Sequence, residues 1–341
     1  MGRPFDVLVA FALFASALLL SAALVAFIRR WAVAKAILDH PTERSSHAVP
    51  TARGGGMAMV LITVAGGALL EVLTHQWPWR DFAAFAAAAL AVAVVSWIDD
   101  LRHLNPVLRI GVQVIAALAI VLSFGPPPSL PLQALAAPVT LLWIVGLTNA
   151  YNFMDGIDGI AGGQAVVAGL AWGWFGLATG QPLIAGLGLL IAGSSAGFLL
   201  HNWQPARIFM GDVGSAFLGF TFASLAVIGS RSARDLFIAG VLVVWPFVAD
   251  AAFTFLRRAR RRERLMDAHK SHIYQRLNQA GLSHAAVATI YIALAAAGAA
   301  GAVALMRGVP LPWIAATLSL LALATWVGTV ARERSRLRLP Q

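Results

Sequence analysis

The sequence has 341 residues, 59% of them hydrophobic and 12% charged, with a mean hydropathy of +0.77. That leaves too little polar surface for a water-soluble globule, so the chain belongs in a bilayer. It has no cysteine, which excludes a disulfide framework and any thiolate-held zinc or iron–sulfur centre. The formal charge of +10 is read as Lys and Arg marking cytoplasmic loops and anionic headgroups, so membrane lipids are expected partners and nucleic acid is not.

A spanning helix needs about 20 mostly apolar residues. Eleven runs of suitable length lie at 5–28, 55–73, 82–98, 107–124, 132–150, 160–179, 182–200, 214–230, 236–256, 286–305 and 311–330. The first is too long for the apolar region of a signal peptide and has no convincing cleavage site, so it is expected to remain as a helix. The runs around 160–200 are rich in glycine and parted only by Gly180, Gln181 and Pro182, which softens their boundaries. The longest polar stretch, Arg257 to His284, is short and basic and cannot bury a core of its own. The expected fold is all-α: a polytopic integral membrane protein of about 11 transmembrane helices, forming a single domain over 1–341.

Basic residues near span ends stay in the cytoplasm. With the N-terminus outside and the C-terminus cytoplasmic, only Arg3, Arg80, Arg231, Arg234 and Arg307 are left on the external side. Loops at about 29–54, 99–106, 149–159, 201–213 and 257–285 then face the cytoplasm, and they carry nearly every unusual polar residue.

Asp99 and Asp100 end an Ala/Val-rich run. Two adjacent carboxylates at the edge of hydrocarbon repel each other and need a compensating cation or donor; alone, the pair also fits a solvated helix end beside Arg102. The segment NAYNFMDGIDGIAGG places Asn149, Asn152, Asp155 and Asp158 at spacings of three, which line one helix face or one turn. Capping by Asn and Asp explains about one of the four. In PARIFMGDVGS, Asp212 stands just ahead of a span, where glycines allow close backbone approach and Asp212 or Ser215 can cap the helix or bind an ion.

Five carboxylates from three loops on one side of the membrane cannot share a poorly hydrated pocket without positive charge. Mg2+, with Mn2+ as the alternative, together with an anionic substrate supplies it, and the absence of thiols disfavours zinc and copper. The basic segments HPTERSSHAVPTARGGG and DAHKSHIYQRLN add donors for phosphate oxygens, with His269, Lys270 and His272 foremost. His103, His201 and His284 are read as surface or capping histidines, and RRARRRER as a topology determinant. Acids, a divalent cation and basic donors make up the inventory of phosphoryl transfer, and the membrane edge implies a lipid substrate.

Five ordered motifs, HPTERSSHAVPTARGGG, WIDDLRHLNP, NAYNFMDGIDGIAGG, PARIFMGDVGSAFLGF and HKSHIY, resemble those of the polyprenyl-phosphate N-acetylhexosamine-1-phosphate transferases (glycosyltransferase family 4). The resemblance implies a bacterial inner-membrane enzyme with its site facing the cytoplasm, dependence on Mg2+, a UDP-N-acetylhexosamine donor and undecaprenyl phosphate as acceptor. It implies Asp212 as metal ligand, with Asn152 and Asp155 beside metal and diphosphate. Asp99 and Asp100 fall near the lipid phosphate, one of them as base or orienting group, and Asp158 toward the nucleotide. Asn149, Arg44, His47, Arg53, His269, Lys270 and His272 fall on the substrate side. The peptidoglycan enzymes carry three consecutive histidines where this chain has His-Lys-Ser-His, which points to the branch that initiates O-antigen or other surface polysaccharides. A homodimer is one assembly open to such a protein. The rival reading is a cation- or proton-coupled transporter, which would need charged groups near the bilayer midplane; Asp250 comes nearest, toward the cytoplasmic end of its span.

Overall fold

The computed structural model describes residues 7–41, 49–130, 132–263 and 270–337. Helix α1 (Val7–Ala34) is followed by strands β1 (Leu38–Asp39) and β2 (Thr51–Arg53), then by α2 (Gly56–Thr74), α3 (Trp79–Arg102), α4 (Pro106–Phe124) and α5 (Gln133–Phe153). Next come α6 (Ile160–Ala178), α7 (Pro182–Asn202), β3 (Ile208–Phe209), α8 (Asp212–Gly229), α9 (Leu236–Val243), α10 (Trp245–Arg260), α11 (Ile273–Gln279), α12 (His284–Met306) and α13 (Leu311–Leu337). Among the described residues 10 helices are long and apolar enough to cross a membrane, and α9 with α10 makes up to 11 if taken as one bent span. The all-α polytopic architecture expected from the apolar runs is the one observed.

The helices depart from those runs at several ends, α1 and α13 among them, and at one break. Both α3 and α5 extend past their apolar runs, so Asp99, Asp100 and Asn152 are all still helical. The run read as one span over 236–256 is broken: α9 and α10 diverge by 71°, with Pro246 in the first turn of α10. Proline has no N–H to bond back into the preceding turn and its ring crowds the carbonyl four residues earlier, so a continuous helix cannot run through it unbent.

The core is built around α8, whose residues from Val213 to Gly229 are all buried. The glycine-rich helices α6 and α7 pack with their backbones nearly touching. A Cβ at Gly176 would lie 2.2 Å from the Ala185 amide nitrogen, and one at Gly188 would lie 2.4 Å from that of Gly173. Small residues at a seam let helix backbones approach within van der Waals range, the main source of helix association where no water is being expelled. At the periphery, Phe11, Leu122 and Trp313 are largely exposed, as suits side chains that meet lipid tails rather than water.

A three-stranded sheet, absent from the expected fold, ties the loops together at one end of the bundle. β2 is central, antiparallel to β1 (Leu38 opposite Ala52) and parallel to β3 (Arg53 opposite Phe209). The ladder continues past the strands, with the amides of Gly55 and Gly56 bonded to the carbonyls of Phe209 and Met210, both at 2.9 Å. Strands of two or three residues fall below any window in which alternation can be read from sequence.

Candidate active site

The connection between α1 and α2, the end of α3, the α5–α6 turn, the α7–α8 loop and the start of α12 converge beside this sheet. They enclose a cavity of about 220 Å3 whose walls include Asp39, Arg53, Asp155, Asp158, Asp212 and His284. A second cavity of about 360 Å3 shares Asp158, Phe209 and His284 with the first and is otherwise walled by neutral residues, among them Thr51, Gln204 and Asn278.

Arg53 projects from β2 between two acids, 3.0 Å from Asp39 and 3.3 Å from Asp100. Burial alone would lower its pKa, but the charges of Asp100, Asp39 and Asp212 outweigh that and hold the guanidinium above its ordinary value. Asp100 also closes the start of α8, accepting from the Asp212 amide at 3.0 Å and the Val213 amide at 3.1 Å. Two amides that no helical carbonyl can reach are thereby satisfied, and a negative charge sits at the positive end of the helix. Gly211 makes this approach feasible: it has φ = 77°, and a Cβ there would lie 2.7 Å from Asp100 Oδ2. Gly214 serves a different purpose. Its Cα packs against Gly56, where a Cβ would come within 2.3 Å, so this glycine joins α2 to α8 rather than making room for a ligand.

Asp99 accepts from the Leu104 amide at 2.6 Å and from the guanidinium of Arg109. Arg109, in the first turn of α4, also lies 3.4 Å from Asp212 and so bridges two acids that the sequence places more than a hundred positions apart. Asn152 hydrogen-bonds Asp212 while its side-chain oxygen accepts from Ser215 Oγ at 2.7 Å, which leaves the amide nitrogen as the donor to Asp212.

Asp155 lies in the turn after α5. Burial, and then repulsion from Asp212 and Asp100, raise its pKa well above the ordinary carboxylate value, with Arg53 opposing the shift. Asp158 is buried; it accepts from the Ala206 amide at 3.1 Å and lies 3.3 Å from His284 Nδ1. The turn is pinned from two sides. The Gly159 amide donates to Asn202 at 3.0 Å, and Tyr274 Oη donates to the Phe153 carbonyl at 3.0 Å.

Six carboxylates, from Asp39, Asp99, Asp100, Asp155, Asp158 and Asp212, thus face two guanidinia, from Arg53 and Arg109. The excess negative charge, which adds to burial in raising the pKa of Asp155, suits a divalent cation. Among the described residues no three His, Cys, Asp or Glu side chains form a ready-made cage for a metal. An ion such as Mg2+, which keeps several waters and takes one or two carboxylates together with substrate phosphate oxygens, does not need one. Asp212, Asp155 and the Asn152 amide provide hard oxygen donors of the required kind.

The structure does not gather every candidate into the cavity. Asn149 donates to Gln113 Oε1 at 2.6 Å and to the Val145 carbonyl at 2.8 Å, which satisfies it between α4 and α5 and away from the cavity wall. His272 precedes α11 with Nδ1 3.2 Å from Asp250. The Lys270 carbonyl accepts from Gln279 Nε2 at 3.2 Å, and neither Lys270 nor His272 lines the cavity. Arg44, His47 and His269 lie outside the described residues.

Several residues at the site carry no distinguishing signal in the sequence. Asp39 and Arg109 read as ordinary loop and span-end charges, and the signal that could have found Arg109 is a cation in the first turn of a span directly after an acid pair. His284, expected at a surface or a cap, does open α12, but its ring is turned to Asp158 and the cavity. Asp250 proves to be buried and hydrogen-bonded on both oxygens.

A family model described as Glycosyl transferase family 4 matches residues 82–230, a segment that contains Asp99, Asp100, Asp155, Asp158 and Asp212. A probable undecaprenyl-phosphate N-acetylglucosaminyl 1-phosphate transferase of Bacillus subtilis is 32% identical over 277 residues, covering 78% of this chain and 76% of the relative. A decaprenyl-phosphate N-acetylglucosaminephosphotransferase of Mycobacterium tuberculosis is 29% identical over 77% of this chain and 75% of its own length. A phospho-N-acetylmuramoyl-pentapeptide-transferase of a Synechococcus species is 32% identical over 66% of this chain and 69% of its own length.

Proposed function

The chain belongs to glycosyl transferase family 4, with the polyprenyl-phosphate N-acetylhexosamine-1-phosphate transferases, and from that membership we propose that it transfers an N-acetylhexosamine 1-phosphate from a UDP-sugar to undecaprenyl phosphate. The observation that carries this reading is the meeting of Asp155, Asp158, Asp212 and Arg53, from three separate loops, on one cavity at one end of a bundle of membrane-length helices. A site of that kind can join a water-borne phosphate donor to a lipid.

In the proposed reaction an oxygen of the lipid phosphate attacks the β-phosphorus of the donor. The bond between that phosphorus and the bridging oxygen breaks, UMP leaves with the bridging oxygen, and the product is a polyprenyl-diphosphate sugar. The second pKa of a phosphate monoester is near 6, so most of the acceptor is dianionic at pH 7 and no strong base is required. Asp100, with both oxygens engaged by α8 amides and by Arg53, acts in this scheme by fixing Arg53 and the start of α8. Arg53, on the cavity wall, is the cation placed to meet the phosphates, with Arg109 behind it holding Asp99 and Asp212, and the neutral second cavity beyond Asp158 receives the nucleoside. Mg2+, or Mn2+ in its place, would be held by Asp212, Asp155 and Asn152. When bound it supplies neutralisation of the charge that builds on the diphosphate.

The bias of Lys and Arg supports a reading in which this end of the bundle faces the cytoplasm, with the helices in a bacterial inner membrane. The His-Lys-Ser-His segment favours a role in starting O-antigen or another surface polysaccharide over peptidoglycan synthesis. The test is transfer of radiolabelled sugar phosphate from a panel of UDP-N-acetylhexosamines to undecaprenyl phosphate by the purified protein, with and without Mg2+. Metal-dependent lipid-linked product with release of UMP is expected. Absence of product with every donor, under conditions where a known relative works, overturns the proposal.

A further inference from the structure

Asp250 sits in the second turn of α10, beyond the break in the ninth span, with 2% of its surface exposed. A carboxylate enclosed among apolar helices is costly unless donors saturate it, and here five do. Oδ1 accepts from Thr254 Oγ1 at 3.1 Å, His272 Nδ1 at 3.2 Å and the Ile273 amide at 2.9 Å. Oδ2 accepts from the Tyr274 amide at 3.1 Å and Tyr291 Oη at 2.6 Å. If the site only had to hold α10 against α12, an apolar side chain would do so at lower cost. The donors come instead from three places, α10 itself, α12 and the His272–Tyr274 segment, and the last supplies three of the five.

That segment is what reaches the site. Tyr274 bonds the Phe153 carbonyl two residues before Asp155, and it packs so closely on the same turn that a Cβ at Gly156 would lie 2.0 Å from its hydroxyl oxygen. Gln275, the next residue, lines the cavity. A carboxylate can only accept, so His272 must carry its proton on Nδ1, and the same bond fixes the plane of the ring.

We infer that Asp250 is a positioning residue of the transfer reaction: it anchors the segment from His272 to Tyr274, and so holds the first turn of α11 against the turn that carries Asp155 and Asp158. The inference rests on the transferase reading. It assigns the acid that comes nearest to suggesting an ion path to the architecture of a reaction site. Asp250 itself does not meet substrate; it acts through His272 and Tyr274.

The test is a double-mutant cycle in the full-length protein, with Asp250→Asn, His272→Ala and the pair together, following UMP release and the separate KM values of donor and acceptor. Asp250→Asn is expected to lower kcat about 10- to 100-fold, the scale of loss when a remote change slightly misplaces reacting groups, here those of the Asp155–Asp158 turn, and to leave the KM for undecaprenyl phosphate unchanged. The double variant is expected to be no worse than His272→Ala by more than about threefold, because both changes loosen the same His272–Tyr274 segment and so are not additive. Losses that multiply, or a His272→Ala variant with wild-type kcat, overturn the inference. Should Asp250→Asn fail to yield a monodisperse protein, Tyr291→Phe removes one of the five donors more gently, and the same cycle is read with it. A wild-type protein that transfers nothing would overturn the transferase reading instead, so the two failures are distinguishable.

Discussion

Asp100 caps the helix that begins with Asp212: its Oδ1 and Oδ2 accept from the amides of Asp212 and Val213 at 3.0 and 3.1 Å, while Oδ1 also lies 3.3 Å from Arg53. One residue thereby fixes two others that the proposed reaction uses, and a substitution there disturbs structure and chemistry together. Asp100→Ala is expected to cost about 1 kcal/mol through loss of the cap, to lower the midpoint of thermal inactivation and to reduce transfer at least tenfold. Asp100→Asn keeps one capping acceptor and is expected to recover most of the thermal midpoint and little of the activity. Thermal inactivation and UMP release measured on the same preparations separate the two effects.

Asp212 is the acid shared by Arg109 and Asn152. Asp212→Asn keeps the shape and removes the charge. It is expected to lower kcat about 100- to 1000-fold, the range seen when one preorganised electrostatic group is lost from an active site. The remaining activity should respond far less steeply to Mg2+ than that of the wild type, and chelation by EDTA should abolish wild-type transfer. A wild-type Mg2+ titration curve retained by Asp212→Asn would remove this residue from the metal assignment.

The raised pKa of Asp155 bears on stability in the absence of divalent cations. In the unfolded chain its carboxyl titrates near 3.8, whereas in the fold it holds its proton to higher pH. Between those two values the folded state binds more protons than the unfolded one, so stability falls as pH rises and then levels off above the folded value. Asp155→Asn cannot ionise and is expected to escape that fall. It should match the wild type below about pH 3 and exceed it in thermal midpoint at alkaline pH. Parallel pH–midpoint curves for the two proteins would show that Asp155 titrates normally.

Gly156 is boxed in by the hydroxyl of Tyr274. Gly156→Ala is expected to break the Tyr274–Phe153 hydrogen bond and to lower transfer at least tenfold. Tyr274→Phe, which sacrifices that bond at a cost of about 1 kcal/mol, should by itself be milder. The combination Gly156→Ala with Tyr274→Phe is expected to be more active than Gly156→Ala alone, because the oxygen that obstructs the new methyl is gone. Steady-state rates of the three variants decide it.

The helices were legible because every span is a long apolar run, and the acids were legible because carboxylates at the ends of such runs are too costly to be idle. What the sequence could not yield was pairing across loops. Arg109 and Asp212 are one ion pair in space and unrelated positions in the chain, and the same holds for His284 with Asp158. The break before α10 was marked by Pro246, yet proline is tolerated in spanning helices often enough that its presence did not imply a 71° bend. Asn149 is the instructive opposite case. It shares the three-residue spacing of Asn152 and Asp155, but on the helix it turns toward Gln113, since three residues fall short of the 3.6 of a full turn and each such step rotates the side chain by about 60°.

The short sheet imposes a rule of length on the first loop. Side chains alternate along β2, with Ala52 buried and Arg53 facing Asp39 and Asp100. A single residue added or removed within Thr51–Arg53 would turn the guanidinium to the opposite face and bring an alanine-sized group into its place. Relatives or engineered variants of this chain can therefore accept a longer or shorter connection before the strand, while the three positions of the strand itself are counted out, one by one, by the pairing of Arg53 with Phe209.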